Sequence, residues 1–107
     1  MKYNNYFNHK QFLVSEGTHP FYGGDMLRFT FPNGYGASVR RHKESWGGTR
    51  GLWEIAVMFQ ESIVYDTPIT QSVGSGILVW QNEKQVENVL EQIRNFRILD
   101  WSWTKVE

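Results

Sequence analysis

Apolar and polar residues alternate along four stretches of the chain, and apolar positions recur at a helical spacing along a fifth. Leu27, Phe29 and Phe31 alternate with Met26, Arg28 and Thr30, the period of a half-buried strand over 26–31. Pro32, Asn33 and Gly34 predict a tight reversal after it. Proline presets φ at the second turn position, while Asn and Gly tolerate the positive φ that a hairpin needs. The return strand covers 35–41, with Tyr35, Ala37 and Val39 on one face and Gly36, Ser38 and Arg40 on the other. The small residues at 36–38 leave room for a bulky group to lie across them, which an aromatic side chain of the core can supply.

A third strand is expected over 52–59. Trp53, Ile55, Val57 and Phe59 form one face; Glu54 interrupts the other, which Ala56 and Met58 make only partly polar, so this strand is placed centrally. Glu61 and Ser62 turn the chain into a short strand at 63–65, giving a second hairpin that Asp66, Thr67 and Pro68 end, because proline lacks the donor a ladder requires. Residues 70–76 read as loop, and the apolar run from Ile77 to Trp80 is too short to assign by period.

The helical stretch spans 83–96. Asn82 is its cap and Gln85 the reciprocal member of a capping box. Val86, Val89, Leu90, Ile93 and Phe96 form one stripe, and Glu83, Glu87 and Glu91 line a row expected to face solvent. Alternation returns over 98–106, with Leu99, Trp101 and Trp103 against Asp100, Ser102 and Thr104, which predicts a C-terminal strand. Residues 1–24 follow neither period. They are expected to form an N-terminal arm with a short helix or strand at 11–14, closed by turn residues at Gly17–Pro20 and Gly23–Asp25. The whole is one domain, residues 1–107, made of this arm and a sheet-and-helix unit over 25–107. Its class is α+β: a mostly antiparallel sheet of four to five strands covered on one face by a single helix. A helix of ~21 Å, at 1.5 Å per residue, covers only part of such a sheet.

Composition narrows the chemistry. At 107 residues there is room for one core, and seven Phe, five Tyr and five Trp must supply much of it. Eleven basic residues balance eleven acidic ones, which disfavours a chain held mainly by nucleic-acid phosphates. No cysteine is present, so disulfides, thiolate nucleophiles and cysteine zinc sites are excluded. The first residues lack a secretory signal and no run approaches the ~18 apolar residues of a membrane span, so a cytoplasmic location without membrane association is expected.

The zero net charge hides a cancellation. Residues 40–51 carry Arg40, Arg41, Lys43 and Arg50 against Glu44, a local charge of +3, together with His42 and Trp46. Arginine forks and glycine-freed amides suit phosphate or carboxylate, and Trp46 suits a base or a protein pocket. Arg40, Arg41, His42, Trp46 and Arg50 are therefore the candidate binding residues, set against the plainer reading of a solvated hairpin loop with Trp46 folded onto the sheet. Alternation projects Arg40 and His42 opposite to Arg41. Trp101 and Trp103 mark a possible partner or homodimer interface, or else complete the core beside the helix; Trp80 belongs to the same surplus of tryptophan.

Catalysis has no comparable signal. His9, His19 and His42 lie far apart in sequence without metal-ligand spacing, the serines lack a nucleophile elbow, and no glycine pair opens a helix as a phosphate loop would. Glu54 and Asp66 are placed to pair with Arg40 or Arg41 across the sheet. No catalytic residue, metal or cofactor is expected, and the chain reads as a non-enzyme.

Phe31–Val39 (FPNGYGASV), Gly51–Val57 (GLWEIAV) and Tyr65–Thr70 (YDTPIT), followed by a helix, resemble a group of small tailed-phage proteins of unassigned activity. The likeness spans residues 28–96, about two thirds of the chain. It implies phage origin and the cytoplasm of an infected bacterium, and it transfers no residue roles. Such accessory proteins often bind and block host machinery. The leading expectation is thus a non-catalytic binding protein acting through the 40–51 loop on a host or defence protein, a defence nuclease being one candidate. The alternatives are a sponge that binds a nucleotide signal or nucleic acid at the same loop, and a virion or assembly component that self-associates through Trp101 and Trp103.

Overall fold

The computed structural model describes residues 8–45, 47–70 and 73–97. Trp46, the expected strand over 98–106, and with it Trp101 and Trp103, lie outside the described residues.

The chain is α+β, with an antiparallel sheet and one helix packed on it. Strands β1 (Leu13–His19), β2 (Gly23–Thr30), β3 (Tyr35–Arg41) and β4 (Trp53–Phe59) follow one another in spatial order. The outer edge of β4 is shared: β5 (Ser62–Ile63) pairs with Met58 and Phe59, while β6 (Leu78–Gln81) pairs with Trp53 and Ile55. Helix α1 (Glu83–Arg94) follows β6 directly.

The register explains the core. Phe29 stands opposite Ala37 and Ala37 opposite Val57, while Leu27, Val39 and Ile55 form the next row. Partners in register share a face, so every odd position of β2, β3 and β4 reaches the same side. Val86, Val89, Leu90 and Ile93 of α1 close over that side, and all these residues are buried. Ala37 is small where the helix crosses, so the bulky group lying across β3 is α1 itself.

Both ends of the helix are secured by side chains. Asn82 Oδ1 accepts from the Gln85 amide at 2.8 Å, and Gln85 Oε1 accepts from the Asn82 amide at 2.8 Å, the expected capping box. At the other end, Asn33 of the β2–β3 turn donates through Nδ2 to the carbonyls of Phe96 at 2.7 Å and Ile93 at 2.8 Å. Its Oδ1 accepts from the Tyr35 amide at 2.9 Å. One turn residue thus bends its own backbone and satisfies carbonyls that a helix C-terminus leaves orphaned.

Three expectations change. The N-terminal arm is not separate from the sheet: after a 3-10 turn at Lys10–Phe12, β1 pairs along β2 as an edge strand. Its register shifts between Leu13 and Ser15 and between Gly17 and His19, which breaks the period-two pattern that would have revealed it. The sheet accordingly has six strands among the described residues, because β1 and the short β6 both join it.

The acidic helix row does not simply face solvent. His9 lies between Glu87, at 2.8 Å from Nδ1, and Glu91, at 2.9 Å from Nε2, and the Asn8 amide also donates to Glu87. Carboxylates one helical turn apart present a matched pair to a single ring. The bonds from His9 and Asn95 hold the Glu91 carboxyl below its ordinary range. Glu83 in turn accepts from Trp53 Nε1 at 3.3 Å and stands 3.7 Å from Arg41. The acidic row and the basic strand end therefore meet within one chain.

Candidate functional site

Strand pairing brings the β1–β2 turn, the end of β3, the 42–52 connection and the end of β6 to one end of the sheet. The arginines of the basic segment divide there, as alternation required. Arg40 takes the face away from the helix and donates through Nε to Glu54 at 2.8 Å. Arg41 takes the helix side, donates to Asp25 at 2.6 Å and to the Gly51 carbonyl at 3.3 Å, and lies 4.1 Å from the centre of the Trp53 ring. Trp53 is fully buried and Asp25 nearly so, so Arg41 roofs the core. Both arginines serve the architecture first.

His42 follows β3 and is only 8% exposed. Its backbone and Ser45 form a closed unit: Ser45 Oγ accepts from the His42 amide at 2.9 Å and donates to the His42 carbonyl at 2.8 Å. Three rings pack here, with Tyr22 stacked on His19 at 4.6 Å and on His42 at 5.2 Å, and His19 and His42 4.9 Å apart. Burial pushes the His42 imidazole below its ordinary pKa, and the charges of His19 and Arg40 add to that shift against the opposing Glu54 and Glu44. Beside this stack, Phe21 projects at 84% exposure from a turn whose amides are held by His19.

Beyond His42 the loop spends its amides on itself. Gly48 donates to Ser45, Arg50 and Leu52 to Gly47, and Gly51 to Gly48. The glycine amides that suggested a phosphate cradle are in large part consumed this way. Gly47, at φ 84°, brings the loop against β6, where a Cβ would stand 3.3 Å from the Trp80 ring. Trp80 itself has φ 62°, within the bulge between the two β4 partners of β6. For a bulky side chain the left-handed region costs ~1–2 kcal/mol, so local preference does not explain this conformation. It leaves the indole 43% exposed with Arg50 5.4 Å from the ring centre.

The result is a continuous rim: Phe21 and Tyr22, then His42, the 42–52 loop, Arg50 and Trp80. Of the candidate residues, Arg50 is exposed on it, His42 is inside it, and Arg40 and Arg41 support it through ion pairs. Sequence reasoning missed His19, Phe21 and Tyr22, which the β1–β2 pairing alone delivers to His42. A turn-type reading of His19-Pro20-Phe21-Tyr22-Gly23 was the available signal. Among the described residues, no group of three or more His, Cys, Asp or Glu side chains is placed to hold a metal ion, and no helix is long and apolar enough to cross a membrane.

Comparison with known families, curated proteins and solved structures finds no match to the chain.

Proposed function

We propose that this chain is a non-catalytic protein-binding domain whose contact surface is the rim formed by Phe21, Tyr22, Arg50 and Trp80. The observation that carries this reading is Trp80: a large aromatic held in a left-handed conformation and left substantially exposed, with the Arg50 guanidinium 5.4 Å from its ring centre. Strain retained at an aromatic that stays 43% exposed is better explained by contact with a partner than by its packing in the fold. Trp, Tyr and Arg are the residues most enriched among binding hot spots, and Phe21 extends the apolar area on a turn already fixed in place. Internal use of the loop amides favours a protein partner over a nucleotide phosphate. The partner class, a host or defence protein that this chain blocks, rests on the resemblance to small tailed-phage proteins and on nothing in the geometry.

Affinity capture from a bacterial lysate, with and without nuclease, tests the reading. One host protein is expected to be retained after nuclease treatment and to be lost with Phe21→Ala combined with Arg50→Ala, while the thermal transition of the variant stays intact. Retention by that folded variant overturns the surface assignment, and loss on nuclease treatment moves the assignment to nucleic acid.

A further inference from the structure

The two histidines at the rim are wired alike. His19 Nδ1 accepts from the amides of Phe21 at 3.1 Å and Tyr22 at 3.2 Å, and His42 Nδ1 accepts from the amide of Glu44 at 3.1 Å. Each ring thus plays the part of the side-chain oxygen in an Asx turn, accepting from the amide two residues on. An Nδ1 lone pair places the hydrogen of the neutral ring on Nε2, and a proton added at Nδ1 removes the acceptor altogether. The charged groups facing His42 are His19 from the β1–β2 turn, Arg40 of β3, Glu54 of β4 and Glu44 of its own loop. Glu54 is already engaged by Arg40, and Glu44 is exposed. A second positive charge 4.9 Å from the first, beside a third ring, is therefore poorly compensated. The turn also has no slack: a Cβ on Gly24, at φ 79°, would overlap the Arg41 carbonyl and stand 2.7 Å from His42 Cα, so its backbone lies directly on the segment that carries His42.

We propose that His19 and His42 form a proton-operated latch that fixes the Phe21-bearing turn against the end of the sheet while both rings are neutral and releases it when either is protonated at Nδ1. The proton comes from solvent. On its arrival at His19 the amides of Phe21 and Tyr22 lose their common acceptor, and with both rings charged the two imidazolium groups repel each other across 4.9 Å. Burial makes His42 harder to charge, so protonation at that ring calls for more acid than an ordinary imidazole needs. Its consequence for binding rests on the reading of the rim given above: a partner is held near neutral pH and let go in mild acid. The latch itself is a property of the free chain and needs no partner to be observed.

Backbone 15N relaxation of the full chain at about pH 7.5 and about pH 5 tests the latch, since histidine changes charge between them. Order parameters at Phe21 and Tyr22 are expected to fall from ~0.85 to below ~0.6 on acidification, with Val57 in the core unchanged. In His19→Asn combined with His42→Asn, each side-chain oxygen replaces Nδ1 as acceptor without titrating, and the turn is expected to stay ordered at both pH values. The latch is overturned by a wild-type turn equally ordered at both, by loosening that extends to Val57, or by a double variant that loosens as the wild type does. Because the readout is the free chain, a failed latch leaves the binding surface standing, and a failed capture experiment leaves the latch standing.

Discussion

The two ends of the sheet use the same materials to opposite effect. At the Pro32–Gly34 end, a polar side chain turns inward: Asn33 ties the β2–β3 hairpin to the last carbonyls of α1, and the half-buried rings of Phe59 and Phe96 each pack against the buried Tyr35. At the other end, polar groups hold aromatics outward. His19 fixes the turn that exposes Phe21, and Arg50 lies over an exposed Trp80 in a strained bulge. On the function proposed above, the difference sets stability at one end of a small domain and recognition at the other. Removing Asn33 from the first end weakens the fold, whereas removing an exposed aromatic, Phe21 or Trp80, from the second leaves the core as it was.

That contrast can be broken at several points. The largest stability effect is expected for Asn33→Ala, which strands helix carbonyls and the Tyr35 amide in a part-buried site. A loss of about 2 kcal/mol, or ~10 °C in Tm, is expected by thermal unfolding. Asn82→Ala removes one side of the capping box and should cost about 1 kcal/mol by the same measurement. Trp80→Gly should change stability by less than about 1 kcal/mol, since relief of the left-handed strain offsets lost packing; a loss as large as that of Asn33→Ala would place Trp80 with the architecture.

The smallest effect is a dependence on pH. His42 is held below its ordinary pKa in the fold, so below pH ~6.5 the unfolded chain binds a proton that the folded chain resists. Its stabilising share is complete above pH ~6.5 and is lost as pH falls through the folded value. Glu91 is likewise held low, and its share is lost at still lower pH, below the ordinary carboxylate range. His42→Asn should flatten the first decline in a series of Tm values and leave the second, while a decline of unchanged slope would remove His42 as its source.

How much of this was legible in the sequence follows from the same contrast. The first end lies in contiguous stretches: alternation in β2, β3 and β4, the Pro32-Asn33-Gly34 turn, and the capped apolar stripe of α1 each declare themselves within about a dozen residues. The second end is assembled from residues near 20, 45 and 80, joined only by tertiary pairing. Two of its pieces also break the local rules that make elements readable. Strand β1 carries two register shifts, and β6 has four residues, one of them at positive φ. The charge of the 40–51 segment was visible, and so was the pairing of Glu54 with a strand arginine, which Arg40 makes, but composition could not tell that Arg41 is bonded to Asp25 and that Arg50 is the exposed arginine at the rim. The acidic helix row is in part solvent-facing as expected, and its engagement by His9 was hidden for a similar reason, since His9 is remote in sequence.

The central claim is that recognition resides at the Phe21–Trp80 end and stability at the Asn33 end. Its most direct test is the dissociation constant of the captured partner, measured beside Tm for Trp80→Gly and for Asn33→Ala below its unfolding transition. The account predicts that Trp80→Gly weakens binding by about 30-fold, a hot-spot loss of about 2 kcal/mol, with Tm nearly unchanged. Asn33→Ala should lower Tm and leave the dissociation constant within about twofold. A Trp80→Gly protein that binds as tightly as the wild type would contradict the account.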